Sequence, residues 1–270
     1  MAAFSIDTMS REALLAALEW QLDIGADEAI GDAAVNRYDA PQGVRLRTLK
    51  FGAASNIAPV ENMPSVVSAG PAAPEVSRLM AAQSGTLAEL KNAMGVFDLC
   101  ALKEGARTLV FADGSPGADL MIIGEAPGRD EDIQGKPFVG RAGQLLDKMF
   151  AAIGLSRTSK GKSALYITNV IPWRPPQNRD PDAEEIAMML PFLERHIALA
   201  QPKLLVLMGN TSCKAVLGRS GITRMRGHWE TAFDRPALPM FHPAALLRDP
   251  LKKRNAWSDL QSIRDRLERL

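Results

Sequence analysis

The chain has 270 residues and a nearly balanced charge, with 32 Lys and Arg against 31 Asp and Glu. Its hydrophobic content of 46% is enough for one substantial core with an extension, or for two small domains. No run approaches the roughly 18 consecutive apolar residues of a membrane span. The first residues lack the basic region and apolar block of a secretory signal. We therefore expect a globular protein of the cytoplasm with no membrane partner.

Charge is distributed unevenly along the chain. Residues 201–270 carry 13 Lys and Arg against 6 Asp and Glu, whereas residues 1–100 carry 7 against 12. The C-terminal part is therefore suited to attract a polyanion, and the N-terminal part to repel one. An ordinary solvated basic face is the alternative, and charge alone does not separate the two.

Cysteine is scarce. Cys100 and Cys213 are too few for a disulfide framework or for a metal site built from four cysteines. We expect both to be buried, unreactive thiols. The chemistry of this protein must then come from other side chains.

The N-terminal part divides into a helical extension and a linker. Within residues 1–38, Ser10 and Glu12 precede apolar residues at three- and four-residue steps, which indicates an amphipathic helix. Residues 39–85 are rich in Ala, Pro and Ser with little periodicity, and we predict a flexible linker there. A folded domain over residues 86–270 would then carry the motifs.

Short apolar runs alternate with longer amphipathic segments in the C-terminal two thirds of the chain. The runs predict buried strands at 120–124, 165–170 and 204–209, and the longer segments predict helices at 143–153, 183–200 and 211–217. This order predicts a three-layer α/β fold, with a mainly parallel central sheet and helices on both faces. Ligands of such sheets bind at the C-terminal ends of the strands.

Unusual residues follow the predicted strands. The loop after the first strand is dense in glycine, proline and charge, and it contains Glu125 and Glu131. It has neither the dinucleotide-binding fingerprint nor the P-loop spacing. Asn169 ends the second strand, and His242 follows a later one. Taken singly, each is as well explained by a turn or a structural role, whereas the three loops together indicate one site.

The motifs in these loops occur in a distinctive order. They are Gly-Glu-Ala-Pro-Gly at 124–128, Lys-Pro-Phe-Val-Gly-Arg-Ala-Gly at 136–143, Asn169, Asn-Arg-Asp-Pro at 178–181 and His-Pro-Ala-Ala-Leu-Leu-Arg at 242–248. In these motifs the chain resembles the family-4 uracil-DNA glycosylases, from about residue 97 onward. The resemblance implies the fold of those enzymes and a role in base-excision repair, in which the bond between uracil and deoxyribose is hydrolysed to leave an abasic site.

The resemblance also implies a role for each matched residue. Phe138 would stack on the extruded uracil, and Asn169 would form hydrogen bonds with the edge of the base. His242 would donate to the uracil O2 as this atom becomes anionic. Glu125, with Glu131 as a second candidate, would orient water or balance the positive charge that develops on the sugar.

Exclusion of thymine is a separate requirement. Ala126 stands where another glycosylase family places a bulky side chain against the thymine methyl group. Because alanine is small, we expect this exclusion to depend on Phe138 and on the pocket wall.

Contacts with DNA are expected on the basic side of the site. Leu246 and Leu247 would form an apolar wedge that fills the space left by the flipped base. The residues predicted to contact phosphates are Arg174, Arg248, Lys252, Lys253 and Arg254. Ordinary surface charge is the alternative for the last three.

The chain departs from the family at its iron–sulfur cluster. The four positions that hold cysteine ligands in the family correspond here to Phe97, Cys100, Trp173 and Met189. One thiolate cannot hold a four-iron cluster, which needs about four protein ligands. The three large apolar side chains would instead fill the space with favourable contacts. We therefore predict no metal and no cofactor, with the fold preserved.

Three functions remain open from the sequence. The first is a monofunctional glycosylase, because no lysine in the matched loops stands out as a Schiff-base nucleophile. The second is a non-catalytic protein that binds uracil-containing or single-stranded DNA, and the third is an enzyme of free nucleotides or nucleosides. For the first we expect a monomer that acts on uracil-containing DNA, single- or double-stranded.

Overall fold

The computed structural model describes residues 73–270. The helices are α1 (Ala73–Gln83), α2 (Leu87–Val96), α3 (Leu102–Gly105), α4 (Arg129–Gln134), α5 (Arg141–Ala151), α6 (Ala183–Ala200), α7 (Gly209–Leu217), α8 (Ile222–Met225), α9 (Pro243–Arg248) and α10 (Lys253–Leu267). The strands are β1 (Asp113–Gly114), β2 (Leu120–Gly124), β3 (Leu165–Asn169), β4 (Leu204–Met208), β5 (Glu230–Ala232) and β6 (Arg235–Met240). The extension predicted over residues 1–38 lies outside the described residues, as does the linker before residue 73.

These strands form one sheet in the order β1-β3-β2-β4-β6-β5. The inner strands β3, β2, β4 and β6 are parallel, and the short edge strands β1 and β5 are antiparallel to their neighbours. Every residue of β2, β3 and β4 is buried, as expected for parallel strands covered on both faces. Gly124 pairs with Asn169. The C-terminal ends of β2 and β3 are therefore level at one edge of the sheet.

Alternate strand residues pack into two hydrophobic cores. Met121 and Ile123 of β2 lie in the core that includes residues of α2, α6 and α7. Leu120 and Ile122 lie in the other core, with residues of α5, α9 and α10. Because successive strand residues point to opposite faces, each face of the sheet is covered by helices. This confirms the predicted three-layer α/β fold with a mainly parallel sheet.

The helices between and after the strands begin close to their predicted positions. Helix α6 covers the predicted range because its first turn is capped on both sides. The Asp182 carboxylate accepts from the N–H groups of Glu184 and Glu185 at 3.0 and 2.8 Å, and the Glu185 carboxylate accepts from the Asp182 N–H at 2.9 Å. Among the helices of residues 73–270, none has the length and apolar character needed to cross a membrane.

One predicted boundary is wrong. The linker was expected to extend to residue 85, but α1 occupies part of that range and packs against α6. Ser77 and Ala81 are buried in this contact, and the Arg195 side chain donates to the Ser84 carbonyl at 2.8 Å. Ala, Leu, Met and Gln in this stretch favour a helix. The core that α1 joins is built from residues far away in sequence, so local composition did not reveal it.

We predict that a chain starting at residue 86 is less stable than one starting at residue 73. The shorter chain loses the packing of Ala81 and of the half-buried Val76 and Met80 against the core. Its free energy of unfolding should be lower by at least about 2 kcal/mol in urea denaturation, the scale of one large apolar side chain removed from a core. Equal stabilities would show that α1 is not part of the folded domain.

Candidate active site

A cleft of about 590 Å³ opens at the C-terminal edge of the parallel strands. The loops that follow β2, β3, β4 and β6 form its walls. Its lining includes Glu125, Ala126, Phe138, Asn169 and His242. The structure therefore brings together in one cavity the side chains that the sequence places more than a hundred residues apart.

Phe138 occupies the centre of this arrangement. Its ring is buried and stacks on the imidazole of His242, with 5.4 Å between ring centroids and 30° between planes. A Cβ atom on Gly124 would lie 2.5 Å from the Phe138 ring and 2.3 Å from the Asn169 side-chain oxygen. Only glycine at position 124 leaves room for both side chains at the end of β2.

Asn169 is held at the floor of the cleft. It ends β3, and its side chain is almost fully buried. The backbone pairing of the two strands continues beyond it, because the Val170 N–H donates to the Gly124 carbonyl and the Ile171 N–H to the Glu125 carbonyl, each at 3.0 Å. These bonds keep the carboxamide of Asn169 beside Phe138.

His242 presents a defined tautomer to the cleft. It caps the N-terminus of α9, where its Nδ1 accepts from the Ala244 N–H at 3.2 Å. Burial, with a smaller contribution from the Arg248 charge, lowers the pKa of His242 to about 4, although Glu131 opposes this effect. The imidazole is therefore neutral at pH 7. With Nδ1 acting as an acceptor, the proton lies on Nε2, which is left as the hydrogen-bond donor.

Glu125 is a carboxylate of the cleft whose pKa is shifted by its surroundings. It is half-buried directly after β2, and burial raises its pKa. The nearby Thr211 side chain lowers this pKa, and the nearby Asp180 raises it. Sequence reasoning missed both neighbours. Thr211 was assigned only to a helix, and Asp180 lies in the Asn-Arg-Asp-Pro motif without a role of its own.

Glu131 has a different role from the one predicted. Its carboxylate accepts from the backbone N–H groups of Gly128, Val139 and Gly140 at 3.1, 2.9 and 2.9 Å. Because its two oxygens already accept three bonds, Glu131 stabilises the loop and is not a free base. These bonds account for Glu131 as a residue that stabilises the loop, and Glu125 remains the first candidate for the catalytic carboxylate.

The predicted apolar wedge is also revised. Leu246 is only 1% exposed and packs in the core beneath α9, so it cannot insert into DNA without leaving that core. Leu247 is 40% exposed, and Arg248 lines the cleft. Leu251, on the next turn, is 88% exposed and was not predicted. Two adjacent leucines in a short motif do not reveal which of them faces inward.

The predicted phosphate-binding residues have different surroundings. Arg174 is half-buried and donates through Nε to the Asn178 side-chain oxygen at 2.8 Å. Lys252 lies 3.2 Å from the Asp249 carboxylate. Lys253 and Arg254, which follow Lys252, are exposed.

The four positions predicted to correspond to cluster ligands lie away from solvent in one hydrophobic core. They are Phe97, Cys100, Trp173 and Met189. The ring of Phe97 meets that of Phe192 edge to face at 5.4 Å. Burial raises the pKa of Cys100, and it raises that of Cys213 to about 12, so both cysteines are buried, protonated thiols as predicted.

Comparison with known proteins identifies a family and several similar enzymes. Residues 111–261 match the family model of the Uracil DNA glycosylase superfamily. The type-4 uracil-DNA glycosylase of Sulfurisphaera tokodaii is 38% identical over 62% of this chain and 78% of its own length. Those of Saccharolobus solfataricus and Archaeoglobus fulgidus are each 35% identical, over 62% and 61% of this chain and 80% and 84% of their own lengths.

Proposed function

The chain belongs to the Uracil DNA glycosylase superfamily and is a DNA-repair hydrolase of N-glycosyl bonds, and we propose that its cleft excises uracil through Phe138, Asn169, His242 and Glu125. The observation that carries this proposal is the convergence of these four side chains at the C-terminal edge of the sheet. The product is an abasic site in DNA and free uracil.

Recognition begins with a nucleotide that is flipped out of the base stack, at a cost of roughly a few kcal/mol. The face of the Phe138 ring stacks on the uracil. The carboxamide of Asn169 supplies one donor and one acceptor to the edge of the base, a pair that uracil matches and cytosine does not. Ala126 leaves space in the lining, so Phe138 and the pocket wall exclude the thymine methyl group.

Cleavage separates charge. The electron pair of the glycosidic bond leaves with uracil, and positive charge develops on the sugar. The Nε2–H of His242 donates to the uracil O2, where negative charge accumulates. The Glu125 carboxylate balances the sugar cation and orients the water whose oxygen bonds to the sugar carbon. The attacking water gives up one proton and the departing uracil anion takes up one proton, so that the sum of the reaction is hydrolysis.

DNA contacts follow from the rim of the cleft. Leu247 takes the wedge role, and the exposed Leu251 adds a second apolar contact. Phosphates are contacted by Arg174, Arg248, Lys252, Lys253 and Arg254. The substrate is uracil-containing DNA, single- or double-stranded. We propose that the enzyme works as a monomer, because one chain supplies every side chain of the proposed mechanism.

The cluster positions do not fit an iron–sulfur cluster. Cys100 is the one thiol among them, and burial favours its protonated form, which is not a ligand. Phe97, Trp173 and Met189 offer no thiolate and fill the core with apolar volume. We therefore propose that the enzyme works without a cluster. No observation favours a non-catalytic DNA-binding protein or a nucleotide enzyme over this function.

We expect His242→Ala and Asn169→Ala each to slow single-turnover uracil excision at least tenfold, because each removes a side chain proposed to form hydrogen bonds with the base in the transition state. The assay measures abasic-site formation on a uracil oligonucleotide. His228→Ala is the matched control, since His228 is exposed and lies outside the cleft lining. Wild-type rates in both cleft variants would overturn the site assignment.

The pH dependence of excision should report Glu125. The rate should fall in acid as pH drops through the pKa of Glu125, which burial raises above its ordinary 4.5. His242, with a pKa of about 4, is still neutral there. In Glu125→Gln the remaining acid limb should move toward that lower value. An inflection near 6.5, the ordinary value for histidine, that persists in Glu125→Gln would contradict a neutral donor.

The packed cluster positions predict both metal content and stability. Purified protein should be colourless and contain far less than one iron–sulfur cluster per chain. Trp173→Ala should lower the free energy of unfolding by about 3–5 kcal/mol, the usual cost of emptying a large aromatic site. Trp257→Ala, at a 43% exposed tryptophan, is the control and should cost much less. Stoichiometric iron in anaerobically prepared protein, or a Trp173→Ala variant as stable as the parent, would contradict this proposal.

A further inference from the structure

Arg157 lies outside the cleft lining but is bonded to the loop that carries Phe138. It stands between α5 and β3, with a side chain that is 11% exposed. Its two terminal nitrogens donate to the backbone carbonyls of Pro137 and Phe138, each at 2.9 Å. The guanidinium group thus binds two consecutive peptide units of the loop that carries Phe138.

Glu131 binds the same stretch through its amides and shares the peptide unit between Phe138 and Val139 with Arg157. Its carboxylate accepts from the N–H groups of Val139 and Gly140. The backbone of residues 137–140 is therefore held by a cation through its carbonyls and by an anion through its amides. Of these two side chains, only Glu131 lines the cleft.

The conformation held in this way is an unfavourable one. Phe138 has a backbone φ of 53°, in the left-handed region that residues other than glycine rarely adopt. Close packing supports it from behind, because a Cβ atom on Gly143 would lie 1.8 Å from the Phe138 carbonyl oxygen. A loop in this region of φ persists only when its surroundings over-determine it.

Arg157 is itself held in place. The carboxylate of Asp147 accepts from its Nε at 2.8 Å, and that of Asp113 accepts from its Nη1 at 3.1 Å. These anchors fix the plane of the guanidinium, so that its fork of donors faces the two carbonyls. Lysine would keep the positive charge but could not reproduce this planar fork.

We propose that Arg157 is a positioning residue for uracil recognition, which fixes the ring of Phe138 against the flipped base. This inference rests on the proposed function. Uracil recognition then depends on a residue that does not touch the substrate. The exclusion of thymine depends on the same guanidinium group, because Phe138 contributes to that exclusion.

The test is a double-mutant cycle between Arg157→Lys and Phe138→Ala. Arg157→Lys should slow single-turnover uracil excision at least about tenfold, because small misplacements of a positioned group cost rates of this order. In the Phe138→Ala background the same substitution should change the rate less than about twofold, since the ring it positions is absent. Equal losses in both backgrounds, or a wild-type rate in Arg157→Lys, would overturn the proposal.

Arg226→Lys is the matched control. Arg226 is also shielded from solvent, and it donates through two nitrogens to the buried carboxylate of Asp259, outside the cleft lining. It should lower the melting temperature as Arg157→Lys does and leave excision unchanged. If Arg157→Lys does not fold, Asp147→Asn loosens one anchor of the guanidinium from a half-exposed site. It should slow excision about two- to fivefold, and only when Phe138 is present.

Hydrogen exchange separates this inference from the proposed function. The amides of Val139 and Gly140 should exchange faster in folded Arg157→Lys than in the parent, with the amides of the central strands unchanged. Unchanged exchange at both positions would refute the inference even in an active enzyme. A parent protein that excises no uracil would instead refute the proposed function, whatever the exchange result.

Discussion

The ring of Phe138 fills the space beside Gly124 that a Cβ atom at that position would occupy, and the loops of the cleft meet at this contact. Asn169 reaches it because β2 and β3 end level with each other. His242 reaches it because the loop after β6 turns into α9 beside it. At this contact Phe138 has a left-handed backbone conformation, which is unfavourable for a residue other than glycine. Arg157 and Glu131 supply the hydrogen bonds that hold the loop in this conformation. On the proposed function, recognition of the base therefore depends on Arg157, which lies outside the cleft lining, as well as on groups within the cleft.

The chemistry proposed for this cleft requires a neutral group at the departing base and a charged group near the sugar. Burial and Arg248 lower the pKa of His242, so the imidazole is an uncharged donor at physiological pH. Burial raises the pKa of Glu125, and the nearby Thr211 side chain opposes that rise. A neutral donor at the departing base and an anion near the sugar match the charge separation of glycosidic cleavage. Trp173 belongs to the loop that follows Asn169, so its apolar packing in the core helps to hold that loop in position.

The sequence predicts much of the structure of the described residues. Buried parallel strands read as continuous apolar runs, and the capped start of α6 is visible in Asp182 and Glu185, so the fold and the cleft residues follow from local pattern and motif. What the sequence does not show depends on three-dimensional packing. Leu246 is buried and Leu247 is exposed although they are adjacent in the helix, because neighbouring helix positions face different directions. The role of Glu131 depends on amides eight and nine residues away, and Arg157 reaches Phe138 across α5. Helix α1 was missed because the core that it joins comes from distant residues.

The central claim is that the site works without an iron–sulfur cluster. It is tested most directly by measuring single-turnover uracil excision and iron content in the same purified sample of the full chain. Our account predicts abasic-site formation on a uracil oligonucleotide by protein that contains far less than one cluster per chain, and no gain in rate after anaerobic treatment with iron and sulfide. Excision that appears only after such treatment, in proportion to the iron bound, would contradict it.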